Sequence, residues 1–401
     1  MNKKVLLCVT GGIAVFKAAA LTSKLVQNGF HVKVIMSQSA TEFVTPLTFQ
    51  ALSKDHVYTD TFDEKDPAEI AHIDVADWAD VVLVAPATAN IIGKLANGIA
   101  DDMLSTTLLA VTAPVYIAPA MNVHMYDHPA VVKNMEILKS YGCQFIEPDE
   151  GYLACGYTGK GRLAEPEELL ATIQRHFMKS AHREWHGVKL MVTAGPTREK
   201  IDPVRFFTNR SSGKMGYAIA EEAAARGADV TLISGPVSLP KPQGVTLVQV
   251  ESAAEMFAAV ADRFQQSDIV IKAAAVADYR PKHTYEQKIK KQDGDWSVEM
   301  ERTSDILKTL GKKRTHQILV GFAAETENLE SNAKQKVESK RVDIIAANSI
   351  TAPGSGFQGD TNELTLYTKD GDVIHIPLTS KKEAAGKLLD TAMSVYRKSK
   401  A

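Results

Sequence analysis

The chain is poor in cysteine, with three among 401 residues. That count excludes a disulfide scaffold and fits a reducing compartment. Cys8, Cys143 and Cys155 have no C-x-x-C spacing, so they give no reason to expect zinc. A surplus of one charge is missing too. Lys+Arg 46 against Asp+Glu 48 leaves a net charge of -2. A dedicated nucleic-acid binder needs a basic surplus to neutralise phosphates, so that class is excluded, although a local basic patch is not. No apolar run approaches the roughly 18 residues of a membrane span. No G-x-G-x-x-G is followed by an acid about 20 positions on, which speaks against an NAD(P)-dependent flavin reductase with two pyridine-nucleotide domains. Short-period repeats are absent. Lys3-Lys4 ahead of Val5–Val9 faintly resembles a signal peptide. Gly11-Gly12 and Lys17 interrupt it, so a cytoplasmic protein is expected.

What is present is an alternation of apolar strands and helical patterns, enough chain for two or three domains at about 150 residues each. Val5–Val9, Val32–Met36, Val81–Ala85, Val115–Ala118 and Cys143–Ile146 read as strands, with Ala14–Gln27 and Pro129–Ser140 among the helices between them. Such alternation implies a parallel sheet covered on both faces. Near residue 187 the pattern resets. Val188–Ala194 runs into Gly195-Pro196-Thr197, just as Val5–Val9 runs into Thr10-Gly11-Gly12. The expectation is an α/β chain of two Rossmann-like domains, 1–187 and 188–401. In the second half, helices Tyr217–Arg226, Ala253–Gln265 and Asn328–Lys340 separate strands Val230–Ile233, Asp268–Ala273, Gln317–Gly321 and Val342–Ala346. Glu363–Thr368 and Val373–Ile376, joined by Asp370-Gly371, predict a β-hairpin. Lys381–Arg397 predicts a final helix, and Arg280–Arg302 is a long polar loop.

Ligands of open parallel sheets bind at the carboxyl ends of strands. Thr10-Gly11-Gly12 follows the first strand, where glycines permit close backbone approach and a helix N-terminus favours an anion; a plain turn is the alternative. Ser37 follows the second strand, with a hydroxyl able to meet a phosphate. Pro86-Ala87-Thr88-Ala89-Asn90 follows the third and leaves room for a flat ligand. Pro119–Tyr126 follows the fourth and is rich in Met and Asn. His72 reads either as a structural residue or as a proton shuttle. Cys155, in the glycine-rich stretch Gly151–Arg162, is a candidate acid or nucleophile.

These motifs, in this order, closely resemble those of the flavin-dependent cysteine decarboxylases. Pro86–Asn90 is similar to that family's PASAN-type flavin motif. Pro119–Tyr126 is similar to its PxMNxxMW substrate motif, with Tyr126 in place of Trp. His72 and Cys155 match its active-site His and flap Cys. The resemblance implies a flavodoxin-like parallel sheet holding FMN, with Gly11, Gly12, Ser37, Pro86, Ala87, Thr88, Asn90, Ser105 and Met121 as cofactor contacts. It implies that flavin oxidises the cysteinyl group to a thioaldehyde, that CO2 is lost, and that the ene-thiol is then reduced. Asn122 would bind the carboxylate, His72 would act as base and Cys155 would donate the proton.

In the second half, Ser211-Ser212-Gly213-Lys214-Met215-Gly216 precedes a helix and offers N–H groups, hydroxyls and a cation. That suits phosphate, or simply a capped helix start. Asp278, in Ala273–Tyr279, suits a sugar hydroxyl or a metal. Lys288-Ile289-Lys290-Lys291 is either a solvated surface or a source of charge over a nucleotide. Phe322, in Gly321–Thr326, could stack on a base; Lys336 and Lys340 share one helical face and could meet phosphates or solvent.

Together these motifs resemble bacterial phosphopantothenate–cysteine ligases, and the two halves in this order resemble the bifunctional bacterial coenzyme A biosynthesis family. The resemblance implies a CTP-dependent ligation of 4'-phosphopantothenate to cysteine through an acyl-cytidylate. The product, 4'-phosphopantothenoylcysteine, would then be decarboxylated by the first half. Asn209 and Lys288 would carry the two half-reactions. The nucleotide site would draw on Gly195, Ser211, Gly213, Gly216, Ala273, Ala274, Asp278, Lys288, Asp305, Ile306, Phe322, Lys336 and Lys340. Mg²⁺ is expected on the triphosphate, with no ligand named. A homo-oligomer of trimeric decarboxylase units joined by ligase dimers, up to a dodecamer, is implied, with no nucleic acid or membrane partner. The alternative from another class is a non-catalytic flavin-binding regulatory protein.

Overall fold

The computed structural model describes residues 3–63, 70–152, 156–290, 296–325, 329–349 and 359–400. The chain divides into two compact units, Met1–Phe177 and Met178–Ala401. The division lies ahead of the sequence reset at 187 because Trp185 is fully buried in the second unit's core, which anchors the approach to its first strand.

The first unit is built on β1 (Lys3–Val9), β2 (Phe30–Met36), β3 (Val57–Tyr58), β4 (Val81–Ala87), β5 (Val115–Pro119) and β6 (Gln144–Phe145). They lie in the order β3-β2-β1-β4-β5-β6, all parallel. Without the two-residue β3, the order is the flavodoxin-like one. Side chains along β1 alternate between two cores: Val5, Leu7 and Val9 pack on one face, Leu6 and Cys8 on the other. Burial on both faces is why the strand reads as an unbroken apolar run. The helix Val15–Gln27 stops at Asn28, and Gly29 takes the left-handed φ of 81° that reverses the chain. A ribbon of β7 (Asp149–Tyr152) and β8 (Thr158–Arg162) follows, where the sequence showed only a loop.

The second unit repeats the plan with β9 (Lys189–Ala194), β10 (Arg198–Lys200), β11 (Phe206–Thr208), β12 (Asp229–Ser234), β13 (Val245–Gln249), β14 (Ile269–Lys272), β15 (Tyr279–Pro281), β16 (Met300–Arg302), β17 (Ile318–Glu325), β18 (Ile344–Ser349), β19 (Thr361–Thr368) and β20 (Val373–Ser380). Its main sheet runs β13-β12-β9-β14-β17-β18-β19-β20. The first six are parallel, and the expected hairpin β19–β20 adds an antiparallel edge. Leu190, Val192 and Ala194 pack on one face and Met191 on the other. Two antiparallel ribbons stand apart, β10–β11 and β15–β16; the second pins together the ends of the polar loop 280–302. The helices Lys214–Arg226 and Lys381–Lys400 are joined by Arg226, which bonds Glu222 at 3.0 Å, Asp390 at 2.6 Å and the Gly386 carbonyl at 3.2 Å.

Among the described residues, no helix is long and apolar enough to cross a membrane.

Candidate active sites

In each main sheet the strand order reverses beside its first strand, between β1 and β4 and between β9 and β14. That is where such sheets take ligands.

At the first reversal the two predicted loops are tied together. The Thr10 hydroxyl donates to the Pro86 carbonyl at 2.7 Å, and the Thr88 N–H donates to the Thr10 hydroxyl at 3.1 Å. The Ala85–Pro86 bond is cis. Thr88 also caps the helix Ala89–Ala96, accepting from the Ile91 N–H, and Asn90 is exposed in its first turn. Gly11 is required by packing: a Cβ there would sit 2.4 Å from the Ser39 Cβ. Gly12 is different. A Cβ would meet only the Thr88 methyl at 3.9 Å, so this backbone is open to a ligand. Ser37 starts the short helix Gln38–Thr41 without capping it through its side chain.

The Pro119–Tyr126 segment meets the β7–β8 ribbon. The Met121 N–H donates to the Gly161 carbonyl at 3.0 Å, and a Cβ on Gly161 would lie 2.3 Å from the Met121 oxygen. Asn122 accepts the His124 N–H at 2.8 Å. The His124 and Tyr157 rings meet edge to face at 5.1 Å. Glu147 takes both the Lys160 ammonium, at 2.6 Å, and the Tyr126 phenol, at 3.2 Å. Burial, reinforced by the Glu147 charge, pushes the Tyr126 phenol up to about 12. Cys155 lies outside the described residues, between Tyr152 and Gly156; Tyr152 pairs with Thr158 at the end of the ribbon. Burial raises the Cys8 and Cys143 thiols, as befits structural residues.

His72 is the second residue of the helix Ala71–Trp78 that leads into β4. A helix leading into a parallel strand starts at the sheet's carboxyl edge, so His72 is placed at the ligand end. Its Nδ1 is buried and has no hydrogen-bond partner among the described residues. A buried ring nitrogen without a partner marks a site completed by something else. Ser105 is fully buried and closes a capping box with Asp102, its hydroxyl donating at 2.8 Å, and so starts the helix Met103–Ala110.

At the second reversal the loops are zipped further. The Ala275 N–H donates to the Gly195 carbonyl at 2.9 Å, and the Ala277 N–H to the Thr197 hydroxyl at 3.0 Å. Ala273 and Ala274 donate to the carbonyl and hydroxyl of Thr193. Gly195 and Gly213 have φ of 74° and 76°, and a Cβ on either would strike Val237. A Cβ on Gly216 would lie 2.6 Å from the Ala194 Cβ, so its absence lets the helix Lys214–Arg226 sit on β9. Ser211 accepts the Gly213 N–H at 3.3 Å.

Asn209 follows β11 and donates its amide to the carbonyls of Val276, at 3.1 Å, and Ala275, at 3.3 Å. Asp278 and Lys288 are exposed. Lys291 lies outside the described residues. Asp305 caps the helix Ile306–Lys313, with Ile306 buried beneath it, and pairs with Lys340. Burial raises the Asp305 carboxyl, but the bonds from Lys340 and the Lys308 N–H outweigh it and hold it below the usual range. Lys336 is half-buried on the same helix as Lys340. Phe322 lies within β17, paired with Ala346 and packed partly on the core, because the strand runs on to Glu325 instead of turning at Gly321.

Lys272, at the end of β14, is a charged residue that the sequence reading passed over. Burial pushes its ammonium down, opposed by the charges of Asp305 and Asp278. A single Lys ending an apolar strand carries no signal of that setting. Among the described residues, no group of three or more His, Cys, Asp or Glu could hold a metal.

Two nucleotide-type α/β units on one chain, with an open glycine turn in the first and a paired-charge site in the second, define a two-site protein. The family described as "Flavoprotein" matches residues 1–178, and that described as "DNA/pantothenate metabolism flavoprotein C-terminal domain" matches 185–396. The "Coenzyme A biosynthesis bifunctional protein CoaBC" of Bacillus subtilis (strain 168) is 60% identical, covering 97% of this chain and 96% of its own. That of Vibrio cholerae serotype O1 is 46% identical over 97% of each chain. A "Cysteine/Cysteine sulfinic acid decarboxylase" from an unknown prokaryotic organism is 46% identical, covering 86% of this chain and 98% of its own. The chain belongs to the family of bifunctional coenzyme A biosynthesis proteins, flavoproteins that pair a decarboxylase with a ligase.

Proposed function

We propose that the second unit ligates 4'-phosphopantothenate to cysteine at the expense of CTP, and that the first decarboxylates the resulting 4'-phosphopantothenoylcysteine to 4'-phosphopantetheine. The observation that carries this reading is that each sheet brings its motif loops to its own strand-order reversal.

In the second unit the substrate carboxylate attacks the α-phosphate of CTP and pyrophosphate leaves. The cysteine amine then attacks the acyl-cytidylate and CMP leaves. A carboxylate is a poor acyl donor, and the mixed anhydride supplies the leaving group. Lys288 stabilises charge during activation. Asn209, fixed on the Ala275 and Val276 carbonyls, orients the intermediate. Asp278, Asp305, Ile306, Phe322, Lys336 and Lys340 hold CTP, its phosphates facing Ser211–Gly216 and the loops at Gly195, Ala273 and Ala274. Mg²⁺ accompanies the triphosphate, whose charge needs neutralising.

In the first unit the open Gly12, the unused Ser37 hydroxyl and the unpartnered His72 Nδ1 fit FMN and its substrate. Thr10–Gly12, Ser37, Pro86–Asn90 and Met121 hold the group. The chemistry FMN supplies when bound is a reversible two-electron oxidation of the cysteinyl group, giving the carbanion left by CO2 somewhere to place its charge. Asn122, its Oδ1 fixed on the His124 N–H, binds the carboxylate. His72 takes the proton at Nδ1, and Cys155 returns one.

The protein works in the cytoplasm as a homo-oligomer of decarboxylase trimers joined by ligase dimers. Ile13 and Phe16, exposed beside the glycine turn, support a subunit contact there. Mass spectrometry of products tests the reaction: protein, 4'-phosphopantothenate, cysteine, Mg²⁺ and either CTP or ATP. 4'-Phosphopantetheine with CTP is the expected result. Accumulated 4'-phosphopantothenoylcysteine removes the decarboxylase assignment. Neither product from flavin-loaded protein removes both and favours a regulatory flavoprotein. A parallel reaction with cysteine alone tests decarboxylation of the free amino acid.

A further inference from the structure

Asp202 lies in the turn of the β10–β11 ribbon, with its side chain fully buried. A buried carboxylate is costly unless it is well hydrogen-bonded. Oδ1 accepts the N–H groups of Val204 and Arg205, each at 2.8 Å, and so closes its own turn. Oδ2 does something else: it accepts the N–H of Ile289, across 87 residues of chain, at 3.2 Å. The Arg205 guanidinium lies 3.7 Å from Oδ2 and donates to the Ile289 carbonyl at 3.1 Å. It also rests on the Trp296 ring, 5.3 Å from its centroid. Nearby, the Tyr285 N–H donates to the Ile201 carbonyl at 2.8 Å. Both backbone polar groups of Ile289 are therefore held by one acidic turn, and Lys288 is the residue before it.

The far end of the same ribbon is equally fixed. The Thr208 hydroxyl donates to the Thr197 carbonyl at 2.7 Å, and Asn209 comes next. One short ribbon thus carries Asn209 on its end and grips the Lys288 segment at its turn. We propose that Asp202 is a positioning residue for the ligation: its buried carboxylate sets where Lys288 stands relative to Asn209. The proposal rests on the reading of Lys288 as the charge-stabilising group.

The carboxylate is required because Oδ2 faces an N–H. In Asp202→Asn one oxygen becomes an NH2, and donor meets donor. Ile289→Pro removes the other partner, the N–H itself, while leaving the Asp202 carboxylate and its bonds from Val204 and Arg205 in place. Each variant is made in the full-length, flavin-loaded protein and assayed for both half-activities. In each, ligase kcat should fall on the order of tenfold to a hundredfold, the scale of a small misplacement of a reacting group. Trypsin should cut after Lys290 faster than in the parent protein in both variants, and after Lys288 as well in Asp202→Asn; in Ile289→Pro the bond after Lys288 is itself resistant to trypsin. The decarboxylase rate on supplied 4'-phosphopantothenoylcysteine should stay unchanged. Parental ligase kcat in Ile289→Pro, or a fallen kcat with parental trypsin cutting, overturns the proposal. Lys288→Gln separates the two levels. If it keeps full ligase activity, the underlying reading of Lys288 fails, while trypsin still reports whether Asp202 holds the segment. If it loses activity and the two latch variants do not, only the Asp202 proposal fails.

Discussion

The two units share one strand order and treat their sites in opposite ways. The first leaves polar capacity unused: His72 Nδ1 has no partner among the described residues and the backbone at Gly12 is open. The second presents charges already paired, Asp305 with Lys340 and Lys214 with Asp360. A site with an orphaned buried group gains most when its ligand arrives, since the ligand removes an existing cost. A site held by ion pairs keeps its shape alone, and its ligand must replace those pairs. Flavin should therefore raise the thermal midpoint of the first unit more than CTP raises that of the second, each compared at the same free ligand concentration.

The largest expected effect that would break this comparison comes from glycines. A Cβ on Gly235 would lie 1.8 Å from the Pro196 oxygen, a backbone atom that cannot step aside. Gly235→Ala should cost the second unit about 3 kcal/mol in calorimetry. Gly12→Ala should change the stability of the first unit by no more than about 0.5 kcal/mol, while weakening flavin binding.

Close behind is Arg226→Ala. Arg226 and Glu222 are only 5% and 7% exposed, so the change strands a buried carboxylate. A loss of about 3 kcal/mol is expected, confined to the second unit. If the flavin-reporting transition moves with it, the units do not melt separately and the comparison fails.

A smaller effect sharpens the contrast through pH. The Asp305 carboxyl is held low in the folded protein, so its stabilising contribution is complete above the unfolded value, about 3.9, and is lost as pH falls through the folded value. Lys340→Met removes the pairing charge and lets the carboxyl rise. The part of second-unit stability that is lost as pH falls below about 4 should then shrink, read by denaturant unfolding at a series of acid pH values. An unchanged acid limb would remove Lys340 as the cause.

The smallest effect falls in the first unit. The Tyr126 phenol, pushed up to about 12, donates to Glu147 while it is protonated. That contribution is complete below about 10 and is lost as pH rises through about 12. Tyr126→Phe should remove one late step from the ultraviolet titration of tyrosine, with little change in stability at neutral pH. A titration with every late step still present would show that Tyr126 is not the raised phenol.

The sheets were legible because their strands are buried on both faces and read as apolar runs ended by glycine or small residues. The three ribbons were not. β10, β11, β15 and β16 have three residues each and carry polar or exposed side chains, so neither length nor alternation marks them. The sites divided in the same way. Thr10–Gly12, Pro86–Asn90 and Gly213–Gly216 announce themselves through backbone demands that only small residues meet. Ser105 carries two signals at once, since a serine inside a helix start serves a cap as readily as a ligand. The end of β17 was misplaced because Gly321 reads as a turn, whereas here its missing Cβ makes room for the Leu307 side chain, 2.6 Å from where that Cβ would sit. Lys272 and Asp202 left no trace, because a lone charge in a sequence looks the same whether solvent or protein surrounds it.

By itself, then, the sequence determined two parallel α/β units and the strand ends at which their chemistry must gather. Hydrophobic periodicity and glycine placement are local properties, written in neighbouring residues. Tertiary structure alone decided that Asp202 would grip Ile289, that Lys340 would meet Asp305 and that His72 would keep a buried nitrogen without a partner. Those facts depend on which distant backbone and side-chain groups share a desolvated space, and no local pattern records that.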